Sequence, residues 1–391
     1  MIPYSTQSIN DDDIHAVCDT LRSSHLTQGE RTLEFENRLA SLVNAKYAIS
    51  FNSATSALYA LYGAFMYKDF AHLLYDTPLT HPPEKICFIT TPISFVATTN
   101  MMLQWGITPI FCDIKPDGNL DENALENLLK THPQRSCIKA IVSVDYGGKS
   151  VEINKIRSLA DKYKLTFFSD SSHSLGGSYH NQPIGSLADA TIFSFHALKP
   201  ITTAEGGALL TNDKKLAHFA RLICSHGVQK NALWDYDCTL IGMNLRLSEL
   251  GSALGISQLP RLQEFIAHRR EIARFYDQYF AGNNYFETIP IPPHIQSSHH
   301  LYPILLRPNL WEKKEQIFQA LLQKGLGVQV HYKPIYEFNL YRMVLDDDIQ
   351  CKNASRFYRS EISIPCHQNL PLQEAKKIAD TLLDICLKCS Q

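Results

Sequence analysis

Residues 86–114 read ICFITTPISFVATTNMMLQWGITPIFCDI. Both ends, ICFIT (86–90) and TPIFCDI (108–114), are short apolar runs with the length of strands, and the stretch near 95–105 between them has a helical pattern. Strand, helix and second strand in that order describe a right-handed crossover between parallel strands. The alternation continues through strands at IKAIVSV (138–144), TFFSD (166–170), ATIFSF (190–195) and GALLT (207–211), with helices near 121–130 and 151–162. Strands this apolar are covered on both faces, so the expected fold class is α/β with a mostly parallel sheet.

Upstream, Asp11–Asp13 are placed to cap a helix whose apolar face is Ile14, Val17, Cys18 and Leu21, and a second helix carries Phe35, Leu39, Leu42 and Val43. Residues 69–85 hold three prolines and no clear period, which reads as a surface insertion. Beyond about residue 245 the pattern changes to a long helical region (247–280), a strand HHLYPILL (299–306), a helix (311–324), a strand GVQVHY (327–332) and a final helix (373–387). A large domain (1–245) and a smaller α+β domain (246–391) are therefore expected.

Composition excludes several classes of function. With 391 residues, 45% hydrophobic and 19% charged, and a formal net charge of -2, the chain has the make-up of a globular protein without an electrostatic footprint for nucleic acid or an anionic membrane. No apolar run reaches the length of a membrane span and the N-terminus lacks a secretory pattern, so the expected location is the cytoplasm. The ten cysteines are scattered among apolar segments as reduced thiols, and the lone CxxC at Cys386 and Cys389 lacks the second pair of a zinc site.

The chemistry centres on FHALKPITTAEGGA (195–208), where Lys199 is the one basic side chain other than histidine. Desolvation near an apolar pocket disfavours the ammonium and frees the amine for Schiff-base chemistry, most commonly with pyridoxal 5'-phosphate. That cofactor needs an acid for its pyridine nitrogen, a flat partner for its ring and donors for its phosphate. Asp170 ends an apolar strand, at the sheet edge where ligands of parallel α/β proteins bind. His173, three residues on, is placed to lean over the ring or bond its phenolic oxygen; a metal pair with Asp170 lacks further ligands of matching spacing. Ser53, Ala54 and Thr55 of NSATSA stand at a helix start, where phosphates bind, and Ser194 adds a hydroxyl. Phe95 opens a helix after a strand and suits ring stacking.

Taken together, NSATSAL, TTPISFVATTN, the Asp170 and His173 pair, FHALKPITTAEGGA and GMNLRLSE resemble the DegT/DnrJ/EryC1/StrS nucleotide-sugar aminotransferase family over essentially the whole chain. The resemblance implies the PLP-dependent transferase fold type I, the aspartate aminotransferase type, with a seven-stranded sheet. It also implies Lys199 as Schiff-base lysine and proton carrier, Asp170 on the pyridine nitrogen, His173 and Phe95 beside the ring, and Ala54, Thr55 and Ser194 on the phosphate. Asn244, with Arg246 beside it, would reach in from the other subunit of a homodimer. For the sugar nucleotide it points to Tyr4, to Ser24, His25, Leu26 and Thr27, and to Gln329, Val330, His331 and Tyr332.

A finer similarity, in LTQGERT, IVSVDYGGKSVE, SDSSHSLG and VQVHYKPIY, is to the branch that transfers an amino group from L-glutamate to C4 of UDP-4-keto-6-deoxy-N-acetyl-β-L-altrosamine on the route to pseudaminic acid. The alternatives are another UDP-4-keto sugar, such as the aminoarabinose precursor, and a non-catalytic protein that kept the fold. Against the second stands Lys199, since relatives that abandon transamination carry histidine there.

Overall fold

The computed structural model describes residues 1–75, 85–345 and 349–391. Seven strands form the main sheet: β1 (Tyr47–Phe51), β2 (Ile86–Thr90), β3 (Ile107–Phe111), β4 (Ile138–Val144), β5 (Thr166–Asp170), β6 (Ala190–Ser194) and β7 (Gly207–Thr211). Their spatial order is β1-β7-β6-β5-β4-β2-β3. Strands β3, β2, β4, β5 and β6 run parallel, and β7 is antiparallel to both of its neighbours, β6 and β1. The mostly parallel α/β sheet expected from the crossovers is thus present, with β1 as a strand the sequence pattern did not single out.

Adjacent residues of each strand enter different cores, as the two-residue period of a strand requires. Ile141, Phe167, Phe193 and Leu210 pack in one apolar layer with Phe35 and Leu39, while Val142, Phe168, Ile192 and Leu209 pack in the opposite layer. The second layer contains helix Ala54–Asp69, which is apolar nearly all round and correspondingly buried between the sheet and helix Lys214–Cys224.

The long helical region is divided: helices Glu249–Gln258 and Leu262–Tyr279 flank a 3-10 turn at Leu259–Arg261, where Pro260 has no N–H to continue the ladder. A separate apolar core from Ile272 onward lies around a small antiparallel sheet of Phe286–Thr288, Tyr302–Leu306 and Glu361–Ile364. Residues 327–332 do not form the expected strand. They contribute one isolated bridge, Gln329 to Ser363, on the outer edge of Glu361–Ile364, whose other edge pairs with Tyr302–Leu306.

The first helix, Asp11–Leu21, also departs from expectation. Ile14 and Leu21 are exposed, whereas Asp13 and Thr20 are buried, and the cap is Asn10, which exchanges a capping box with Asp13. Asp13 faces inward because Ser257, Gln258 and Arg261 all donate to its carboxylate. In helix Glu30–Leu42, Phe35 and Leu39 are buried and Leu42 is exposed. Within 69–85, Ala71–Tyr75 is a short helix with Leu73 buried, and 76–84 lie outside the described residues.

Asp113, just beyond β3, ties the main sheet to the C-terminal third of the chain. Its carboxylate accepts from Asn353 N and Ala354 N, each at 3.0 Å, at the start of helix Lys352–Ser360, whose own preceding residue, Cys351, supplies no side-chain cap. The Asn353 side chain returns a bond to Ile114 O at 2.8 Å.

Candidate active site

Parallel strands deliver their carboxyl ends to one edge of a sheet, and the loops there enclose ligands. Val144, Asp170 and Ser194 end β4, β5 and β6, and the start of helix Ala54–Asp69 joins them at that edge, all lining a cavity of ≈ 450 Å³. The link between β6 and antiparallel β7 crosses the same edge and carries Lys199. Its path is fixed by Phe195 N to Gly206 O at 2.9 Å, Thr203 N to Phe195 O at 3.0 Å and Thr202 Oγ1 to Phe195 O at 3.1 Å.

Lys199 lines the cavity with its Nζ 3.1 Å from His300 Nε2. Burial brings its amine down to about 7, with Asp170 opposing that change and Arg269 adding to it. Asp170 is held at both oxygens. Thr98 Oγ1 donates to Oδ2 at 2.7 Å, and Ser172 donates to Oδ1 from its hydroxyl at 2.6 Å and its amide at 3.2 Å. His173 is buried, with its Nε2 3.2 Å from the Tyr332 hydroxyl and its ring 4.5 Å from that of His300. Burial and the nearby Lys199 hold the His173 imidazole neutral.

Of the residues named from the sequence, Lys199, Asp170, His173, Phe95, Ala54, Thr55, Ser194, Tyr4, His331 and Tyr332 line this cavity. Phe95 is 61% exposed, so one face of its ring is free at the cavity mouth. Within one chain, Ser24, His25, Leu26, Thr27, Gln329, Val330, Asn244 and Arg246 are not among the lining residues. The 24–27 loop is exposed and tied by Glu249 N to Leu26 O at 3.0 Å; Asn244 is exposed; Arg246 bonds Ser225 Oγ at 2.9 Å. The sequence pattern does not single out Thr98, Ser172 or His300. Ser172 stands two residues after Asp170, the spacing of a side-chain turn, and was legible on that ground.

The donor set suits pyridoxal phosphate. Ser53 caps the helix by accepting from Ser56 N at 3.1 Å, while the amides of Ala54 and Thr55, at the helix start, have no intrahelical acceptor and suit a phosphate. Among the described residues the buried Nδ1 of His173 has no hydrogen-bond partner, a position that a ring oxygen can take. Gly207 keeps this helix start open: a Cβ there would lie 2.4 Å from Ala54 N. Gly207→Ala is expected to weaken pyridoxal phosphate binding roughly tenfold, since overpacking costs about 1–3 kcal/mol. Equilibrium dialysis against the apoprotein measures it, and unchanged affinity would remove Ala54 from the phosphate site.

An α/β chain with a lysine and a carboxylate at the carboxyl edge of a mostly parallel sheet has the construction of a type I pyridoxal phosphate enzyme. Residues 7–383 match the DegT/DnrJ/EryC1/StrS aminotransferase family, and the chain belongs to it. It is 46% identical over 386 residues, 98% of this chain and 97% of the other, to the UDP-4-amino-4,6-dideoxy-N-acetyl-beta-L-altrosamine transaminase of Campylobacter jejuni subsp. jejuni serotype O:23/36 (strain 81-176). Among solved structures, Helicobacter pylori PseC, an aminotransferase involved in the biosynthesis of pseudoaminic acid, superposes with a TM-score of 0.91 at 44% identity, covering 99% of each chain. The sugar aminotransferase Spr1654 of Streptococcus pneumoniae, in its PLP form, matches with a TM-score of 0.88 at 27% identity over 99% of each chain.

Proposed function

We propose that this protein is a pyridoxal 5'-phosphate-dependent transaminase that moves an amino group from L-glutamate to C4 of UDP-2-acetamido-2,6-dideoxy-β-L-arabino-hex-4-ulose, in pseudaminic acid biosynthesis in the cytoplasm. The observation that carries the reading is the Lys199 and Asp170 pair in a ≈ 450 Å³ cavity, on a chain that matches an altrosamine transaminase from end to end. The cofactor supplies the electron sink that lets a carbon beside the amine lose and regain a proton.

The chain's own groups do the rest. Lys199 Nζ, neutral above about 7, anchors the cofactor and then carries the proton between carbons. Asp170 keeps the pyridine nitrogen protonated, with Thr98 and Ser172 fixing its carboxylate. His173 and Phe95 flank the ring, and Ala54, Thr55 and Ser194 hold the phosphate. Tyr4, the 24–27 loop and residues 329–332 form the sugar-nucleotide side.

The working unit in this reading is a homodimer in which Asn244 of one subunit completes the site of the other. Support comes from the exposure of Asn244 and from the nearby hairpin of Val228–Lys230 and Tyr236–Cys238, whose tip presents Leu233 (96% exposed) and Trp234 (84% exposed) to solvent. The division into 1–245 and 246–391 belongs to the same reading; the separate apolar core that begins at Ile272 supports a second unit, while Leu247, Leu262, Phe265 and Ile266 still pack in the first core.

Incubation of the holoenzyme with L-glutamate and a panel of UDP-4-keto sugars, with products identified by mass and NMR, tests the assignment. The 4-amino product of the altrosamine precursor is expected. Faster amination of the aminoarabinose precursor would move the enzyme to a different branch.

A further inference from the structure

Behind the cavity wall a hydrogen-bond chain reaches His331 from Glu361 and Ser363, neither of which has a role above. Glu361 and Ser363 are on one buried strand, both 0% exposed, and His331 stands between them and the cavity. Glu361 Oε2 accepts from the backbone N of His331 at 2.7 Å, and Glu361 Oε1 accepts from Ser363 Oγ at 2.6 Å. Ser363 Oγ in turn lies 2.8 Å from His331 Nδ1. Paired backbone bonds, Ser363 N to Gln329 O at 2.8 Å and Gln329 N to Ser363 O at 3.2 Å, fix the register, and Tyr146 pins His331 O at 2.7 Å.

The direction of each bond follows from donor counting. Ionised, the form that Lys314 and the Tyr146 hydroxyl beside it favour against burial, Glu361 offers acceptors only, so the single Ser363 proton goes to it. The Ser363 oxygen then acts as acceptor toward His331, which places the ring proton on Nδ1. Burial holds the imidazole neutral, down to about 3, so Nε2 bears a lone pair. We infer that Glu361 and Ser363 are positioning residues that hold His331 as the Nδ1–H tautomer, so that its bare Nε2 accepts a hydrogen bond from a hydroxyl of the sugar substrate.

This rests on the keto-sugar reading above, in which the ring keeps one free hydroxyl, at C3. A site built to accept from that hydroxyl discriminates against an analogue lacking it, because the analogue leaves a buried acceptor unpaired. The consequence is selectivity for the 3-hydroxy sugar, set by a carboxylate that never touches it. Glu361→Gln reverses the chain without changing its shape. The amide oxygen must still accept from His331 N, so the amide NH₂ faces Ser363; the hydroxyl proton then turns to Nδ1, and Nε2 becomes protonated.

The experiment uses [15N]histidine-labelled holoenzyme in mildly alkaline buffer, since burial raises the Glu361 carboxyl to about 7. His331 is assigned from a His331→Asn variant. The unaltered enzyme is expected to show His331 Nε2 in the unprotonated range, and Glu361→Gln to move it into the protonated range. The variant is also expected to raise KM for the keto sugar roughly tenfold, more than it lowers kcat, and to lose most of the preference over the 3-deoxy analogue. A protonated Nε2 in the unaltered enzyme, or equal use of both sugars by it, overturns the inference. If the unaltered enzyme aminates no UDP-4-keto sugar, the proposed substrate fails, while the nitrogen signal still judges the tautomer.

Discussion

Lys199→Ala abolishes amino transfer in the expected result, with kcat down by roughly 10³-fold or more, because anchoring and proton transfer are lost together. The fold should survive. The substitution removes an amine that burial disfavours, and the loop around it is closed by bonds among Phe195, Thr203 and Gly206 that do not involve the Lys199 side chain. Borohydride reduction of the unaltered holoenzyme followed by peptide mapping should put the label on residue 199. The sign of the pH dependence is also fixed. The reactive species is the free amine, so cofactor capture by the apoprotein should rise as pH climbs through about 7 and level off above it, whereas an exposed lysine would titrate near ~10.4. Near-normal amination by the alanine variant, or a label elsewhere, would overturn the assignment of Lys199.

The second large effect belongs to Asp170→Asn. The amide is almost the same size, yet one of the two oxygens becomes an NH₂ group, so either Thr98 or Ser172 faces a donor where it now donates. More importantly, the carboxylate charge opposite the pyridine nitrogen disappears. Breaking a buried charge pair by removing one partner costs about 3–5 kcal/mol, which predicts weaker cofactor binding and single-turnover amination slowed by roughly 10²–10³-fold. Stopped-flow measurement of the glutamate half-reaction reads this directly, and a rate within a factor of about two of the parent would show that Asp170 does not govern the cofactor's electronics.

What the sequence disclosed, and what it hid, follows from where the determining interactions lie. Strands β2 to β7 are legible because each is a compact apolar run covered on both faces, and Lys199 because an amine among apolar and hydroxyl residues is chemically conspicuous. The strand Glu361–Ile364 was hidden by its own function: a buried glutamate and serine read as polar surface until Ser363 and His331 are seen to meet their bonds. Residues 327–332 are over-read from sequence alone, since alternating valines suggest a strand but cannot show that only Gln329 comes into register with Ser363. The helix Asp11–Leu21 was read with the wrong side inward because its deciding contacts, Ser257, Gln258 and Arg261 on Asp13, are over 240 residues away in sequence. His300 reads in sequence as part of a strand, and its approach to Lys199 spans 101 residues.

The Asp113 contacts bear on how such a chain can be rearranged. Its carboxylate acts as an end-stop for a helix more than two hundred residues downstream, and that helix has no end-stop of its own. The C-terminal third is therefore not a module that can be borrowed: transplanted onto another scaffold, it would leave its Lys352–Ser360 segment frayed at the first turn, and the Asp113 carboxylate would keep only the Ile114 amide in what remained. Recombination between relatives should succeed only where both pieces come from parents that share this long-distance contract.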